Sequence, residues 1–270
     1  LSGFMLVGCC CLPLPYVDAQ GSSVEEPIHV AVYSDKGTMK RCVDQSVKVI
    51  NDTPGMDVRK ISSSDIQKGD LKYYDVLVLP GGSANDEGKS LGPKGRAAVT
   101  QFVKSGKGII GTCAGAYLLS KGWNETTRDI ELVNAEVNDL DHWARGVQTV
   151  ECQVNNSLQS KSGTTFKIYF ENGPPLVPAN DPKMPKYVSL ATYVTDLHSK
   201  GAPAGKMGGA DAIVAARFGK GNVLLFSPHP ELTPGLEPLL INGIRWASKP
   251  ASKTGPIHWE TVFGPYIQLN

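Results

Sequence analysis

Short apolar runs alternate with amphipathic stretches along most of the chain. Ile28-His29-Val30-Ala31-Val32-Tyr33-Ser34 predicts a first strand. Residues 38–49 place Met39, Cys42, Val43 and Val47 on one helical face. Residues 58–61 predict a second strand, and Ser64 and Asp65 open a short helical turn. Val76-Leu77-Val78-Leu79 is a continuous apolar run, the pattern of a strand covered on both faces, and it ends in Pro80-Gly81-Gly82. Residues 94–105 predict the next helix. A turn at 106–108 then leads through Ile109 and Ile110 into Gly111-Thr112-Cys113-Ala114-Gly115, with a helix beginning near Ala116. Strands alternating with helices argue for a doubly wound, mostly parallel α/β sheet with helices on both faces.

After Lys121 the pattern changes. Residues 147–154 and 166–170 look like paired strands, and Asn172-Gly173-Pro174-Pro175 is a turn. Residues 187–194 predict a further strand. The runs 212–217 and 223–226 flank the tight turn Gly219-Lys220-Gly221-Asn222. Residues 237–248 form an amphipathic last helix through Leu239, Leu240, Ile244 and Trp246. Residues 249–270 have little period and are expected to be a C-terminal extension. The expected organisation is a leader over 1–19, a linker over 20–27, one domain over 28–248, and the extension.

The leader rests on composition. Phe4 to Val17 is mostly apolar and carries Cys9, Cys10 and Cys11, and small residues stand near Ala19 where a signal peptidase would cut. The run opens without a methionine or a basic residue, so its N-terminus is expected to be incomplete. It is short and broken by Pro13 and Pro15, which favours a secreted or periplasmic protein over a membrane-tethered one. Charge excludes another class of partner. Lys and Arg total 27 and Asp and Glu 26, with no basic run, so nothing points to nucleic acid or an anionic membrane.

The chemistry centres on Cys113. Glycines two residues before and two after a nucleophile are the pattern of a nucleophile elbow, a sharp strand-to-helix turn that lifts one side chain above the sheet edge. The helix dipole there favours an anion. A cysteine nucleophile needs a base, a group to orient the base, and an oxyanion hole. His229 is the best base, because it follows the buried run Val223 to Phe226 in Ser227-Pro228-His229-Pro230-Glu231. Glu231 can turn back to fix its tautomer. His142, in a loop, could also line a site. The backbone N–H of Ala114, with that of Gly81 or Gly82, would bind the oxyanion. With the leader removed, Cys42, Cys113 and Cys152 remain. Three thiols suggest one bridge and one free group, and the expected bridge is Cys42 to Cys152. No Cys or His pair has metal-ligand spacing, so neither a metal nor another cofactor is expected.

Together these segments resemble the class I glutamine amidotransferase-like superfamily, through Leu79-Pro80-Gly81-Gly82, Gly111 to Gly115 and His229-Pro230-Glu231. Within it, Gly111 to Tyr117, Asp141 to Gly146, Tyr169 to Pro174 and Phe226 to Pro238 are similar to the domain at the N-terminus of eukaryotic biotin-protein ligases. That domain also occurs in free-standing, often exported proteins. The likeness covers roughly residues 28–248. It implies a flavodoxin-like sandwich and a Cys-His-Glu triad of Cys113, His229 and Glu231, with Tyr117, Trp143, Arg145 and Asn172 lining the pocket. It implies neither biotin ligation nor ammonia transfer, since no nucleotide loop, biotinyl-adenylate domain or synthase domain is recognisable.

The resulting expectation is a secreted cysteine hydrolase of a γ-glutamyl, glutamine-like or peptide amide, with no evident synthase partner. A non-catalytic small-ligand binding module and a thiol redox or stress protein are the alternatives on the same fold.

Overall fold

The structure is a computed structural model, and it describes residues 26–158, 163–198, 201–265 and 269. The expected leader, most of the linker, and residues 266–268 and 270 of the extension lie outside the described residues.

The described residues form twelve strands: β1 (Ile28–Tyr33), β2 (Met56–Ile61), β3 (Val76–Leu79), β4 (Gly108–Thr112), β5 (Ser120–Lys121), β6 (Val133–Val137), β7 (Val147–Val154), β8 (Thr165–Glu171), β9 (Leu176–Pro178), β10 (Val188–Tyr193), β11 (Asp211–Phe218) and β12 (Gly221–Phe226). The helices are α1 (Lys40–Asn51), α2 (Ser63–Lys68), α3 (Ala84–Lys104), α4 (Ala114–Leu119), α5 (Glu237–Ala247) and α6 (Trp259–Phe263). The main sheet runs β2-β1-β3-β4-β12-β11-β10-β7-β8. Its first five strands are parallel, in the flavodoxin-like order. From β12 outward the pairing is antiparallel, so a four-stranded wing extends the expected parallel sheet.

The parallel half is built by strands buried on both faces. Val30, Val32, Val76, Val78, Ile110, Leu224 and Phe226 enter one core with Val43 and Ile50 of α1 and Leu240 and Ile244 of α5. The alternate residues Ala31, Tyr33, Leu77, Leu79, Ile109, Val223 and Leu225 enter a second core with Leu91 and Val99 of α3 and Leu118 of α4. Period-two alternation between two apolar layers makes these strands read as unbroken apolar runs. In β8 the burial instead alternates from exposed to buried, the pattern of a sheet with one wet face.

Two elements depart from the expectation. The helix foreseen over 94–105 is the second half of α3, which breaks at Gly92 (φ 61°, ψ 172°) and restarts at Pro93. The earlier half buries Ala84, Glu87, Gly88 and Leu91, a helical spacing masked by the glycine and the glutamate. Residues past 248 also fold back onto the core. Trp259 and Phe263 are fully buried, with their rings 6.0 Å from Phe166 and 5.9 Å from Phe226 respectively.

Candidate active site

The parallel strands β3, β4 and β12 end at one edge of the sheet, where an open α/β fold binds its ligands. Each delivers one part of the site. Beyond β4, Cys113 has φ 51° and ψ −97°, a strained conformation for a side chain that costs about 1–3 kcal/mol. Two contacts enforce it. The Cys113 amide donates to the Phe226 carbonyl (2.8 Å), and its carbonyl accepts from Tyr117 in the first turn of α4 (3.0 Å). Gly115 lies so close to β3 that a Cβ would stand 2.3 Å from the Leu79 carbonyl oxygen.

Beyond β12, the His229 loop is tied to the wing. The His229 amide donates to the Tyr169 carbonyl (2.9 Å). The Thr233 hydroxyl donates to the His229 carbonyl (2.7 Å) and accepts from the Tyr169 amide (3.0 Å). So held, Nδ1 of His229 meets Glu231 Oε1 at 2.8 Å, both residues being buried. Burial pushes the imidazole toward neutrality, but the charges of Glu231 and Cys113 outweigh it and hold His229 well above the ordinary histidine range. Nε2 has no hydrogen-bond partner among the described residues. The Cys113 thiol donates to the Glu171 carbonyl (3.3 Å).

Beyond β3, Gly82 and Cys113 line the same cleft of about 330 Å³. An antiparallel bridge to residues 37–39 takes the Gly81 carbonyl and the Ser83 amide, and it leaves the Gly82 amide out. Gly81 lies against His229, where a Cβ would sit 2.6 Å from Cε1, so its place is that of a spacer beside the imidazole. Ala114, the other expected oxyanion donor, opens α4 next to Cys113.

Tyr117, Trp143 and Asn172 line the cleft. The Tyr117 hydroxyl donates to the Asn172 carbonyl (2.9 Å), and Asn172 Oδ1 accepts from the Gly146 amide (2.7 Å). Arg145 is not among the lining residues and corrects the expectation. Its guanidinium is buried and pairs with Asp139 (2.6 Å) and the Leu197 carbonyl (2.5 Å). A buried guanidinium needs such partners, and here it ties down the 139–146 loop. His142 pairs with the same Asp139 (2.7 Å). The expected Cys42–Cys152 bridge is also corrected, because all three described cysteines are free thiols. Cys152 is buried on β7 within the core, which pushes its thiol pKa up, whereas Cys42 packs against His229.

Four residues were not foreseen. Trp123 packs against Tyr117 in the cleft wall, with ring centroids 4.3 Å apart and the planes tilted by 46°. Glu171 lines the cleft and is paired with Arg41. A sequence signal existed for Glu171, since it follows Tyr169 at i+2 on one strand face. Cys42 stands in the first turn of α1, the helix that follows β1, and that placement was readable too. Glu87 is fully buried with neither carboxyl oxygen partnered among the described residues. Burial first, and then the nearby charge of Cys113, holds its carboxyl well above the usual carboxylate range.

A mixed sheet ending in an elbow cysteine and a His-Glu pair is the architecture of the glutamine amidotransferase-like class. The chain belongs to the family described as "Biotin-protein ligase, N terminal", whose model matches residues 28–135 and 141–246. It is similar to the pyridoxal 5'-phosphate synthase subunit PdxT of Listeria welshimeri, at 28% identity over 72% of this chain and 88% of that one. The PdxT of Listeria monocytogenes is 30% identical over 71% and 86%. In fold it is similar to PurLQS from Thermotoga maritima (TM-score 0.50, 18% identity, 76% and 88% covered). A ThuA-like protein from Parabacteroides merdae is also similar in fold (TM-score 0.56, 11% identity, 91% and 98% covered).

Proposed function

We propose that the protein is an exported, cysteine-dependent amide hydrolase that acts without a synthase. The observation that carries this reading is the meeting of a strained elbow cysteine and a buried 2.8 Å His229–Glu231 pair at one cleft. Cys113 Sγ attacks the substrate carbonyl, and Nε2 of His229 takes the thiol proton and passes it to the leaving amine. Glu231 orients the imidazole and stabilises its charged form. The amides of Gly82 and Ala114 receive the developing oxyanion. Water then hydrolyses the thioester, with His229 as base. The aromatic wall of Tyr117, Trp123 and Trp143 suits a small amide with a flat or apolar group. The amidotransferase-like relatives, named as synthase subunits, support an amide or glutamine-like substrate. The leader-like run at 4–17 supports export and so speaks against a synthase partner.

The test is amide turnover on a panel of γ-glutamyl, glutamine-like and peptide substrates by the wild type and Cys113→Ala. The variant is expected to lose on the order of 10³-fold or more while its thermal unfolding is retained. Retained turnover overturns the reading. Ligand-induced stabilisation in both proteins without turnover in either replaces it with a binding module.

A further inference from the structure

Amide hydrolysis uses one thiol, yet a second lies against the same imidazole. Cys42 Sγ is 3.9 Å from His229 Nδ1, the nitrogen that Glu231 Oε1 meets at 2.8 Å. One ligand atom from each of Cys42, His229 and Glu231 falls within 4.8 Å of the others. All three residues are buried, and Cys42 is not among the residues lining the cleft. The second carboxyl oxygen of Glu231 is buried and lacks a hydrogen-bond partner among the described residues.

We propose that Cys42, Nδ1 of His229 and Glu231 form a binding site for a soft, zinc-class dication, and that filling it switches the triad off. The donors are one sulfur, one imidazole nitrogen and one carboxylate oxygen, the set that zinc accepts and that magnesium and calcium do not. A tetrahedral ion with Zn–S of about 2.3 Å and Zn–N and Zn–O of about 2.0–2.1 Å separates S from N by about 3.6 Å and N from O by about 3.3 Å. The observed 3.9 and 2.8 Å lie within roughly half an ångström of these values, while the sulfur and the carboxylate oxygen, within 4.8 Å of each other, must stand about 3.5 Å apart around the ion. Charge also fits. A thiolate and a carboxylate cancel the dication, which lets the group remain buried. A fourth position stays available to water.

Binding changes the protons and no oxidation state. The Cys42 thiol proton leaves to solvent. The Nδ1 proton of His229 also leaves to solvent, and the remaining proton sits on Nε2, which has no hydrogen-bond partner among the described residues. With Nδ1 on the metal and Nε2 protonated, His229 cannot accept the proton of Cys113. The binding claim does not depend on hydrolysis; only the switching claim rests on the proposed function.

The experiment uses metal-stripped, reduced full-chain protein carrying Cys113→Ala, with Co²⁺ alone as the probe. One equivalent is expected to give a thiolate-to-cobalt charge-transfer band that Zn²⁺ displaces. Cys42→Ser and Cys42→Ala in the same background, shown to be folded by circular dichroism, are expected to lose the band and about tenfold or more in affinity. A band that persists without Cys42, one that needs Cys113, or no cobalt binding at all overturns the site. For switching, Zn²⁺ is expected to slow iodoacetamide alkylation of Cys113 in the wild type and not in Cys42→Ser. Equal slowing in both overturns the switch. Absence of amide turnover beside an intact band would refute the hydrolase reading and leave the site standing.

Discussion

The two halves of the sheet make different contributions to one cleft. The parallel half, β2-β1-β3-β4-β12, delivers Gly82, Cys113 and His229 from the ends of strands buried on both faces. The antiparallel wing delivers Glu171 and Asn172 as wall residues, and through Tyr169 it holds the His229 loop. Groups placed to react stand on the half whose backbone is over-determined, where strain at Cys113 can be sustained. Groups placed to meet a substrate come from both halves, Tyr117 from α4 and Glu171 and Asn172 from the end of β8. The halves are joined at the Thr233–His229–Tyr169 latch, at the Cys113 thiol on the Glu171 carbonyl and at the Tyr117 hydroxyl on the Asn172 carbonyl.

The largest effect that would break this division lies in the parallel half. Gly115→Ala places a Cβ against the backbone of Leu79, so it should cost on the order of 3 kcal/mol in urea unfolding. A loss below about 1 kcal/mol would mean that the elbow yields, and that the parallel half is no more rigid than the wing.

Glu87 gives the next effect, through pH. Its carboxyl is raised in the folded protein, while the unfolded chain ionises it near pH 4.3. The folded state is thus favoured most below that value and loses ground as pH rises from there toward the folded pKa. Glu87→Gln should abolish that decline. Relative to the wild type, the variant should gain stability between about pH 5 and 8, by more than the ±0.5 kcal/mol of a neutral surface change. A pH-independent difference in urea midpoint would show that Glu87 ionises as freely in the fold as outside it.

The smallest effect should be in the wing-side wall. Trp143 is 46% exposed, so Trp143→Ala should leave stability within about 0.5 kcal/mol. It should raise KM by roughly fivefold, about 1 kcal/mol of lost apolar contact, with kcat little changed. A matching fall in kcat would erase the boundary between wall and reaction.

The same division explains what could be read from the chain. Cys113 and the His229–Glu231 pair were legible because glycines and prolines shape the backbone locally, and the strands beneath them are plain apolar runs. The parallel character of the sheet followed from alternation of strands and helices. Arg145 was misplaced because a guanidinium in a loop reads alike whether it faces a ligand or a buried Asp139. The pairing of Cys42 with His229, 187 residues apart, leaves no spacing to detect. The first half of α3 hid because Glu87 and Gly88 occupy its buried face. Apart from that local masking, what failed was contact between distant segments, which local pattern does not encode.

The short helix α6 gives the two halves a shared brace. Trp259 packs on Phe166 of β8 and Phe263 on Phe226 of β12, while the Asn156 carbonyl and the Asn242 amide bind its backbone. Similarity to the family stops at residue 246, short of this brace. A chain trimmed to the matched region would bare both aromatic seats at once, each worth about 2–3 kcal/mol of apolar burial. The boundary drawn by ancestry therefore falls inside the unit that folds, and a grafted or shortened version must carry the tail to keep its halves in register.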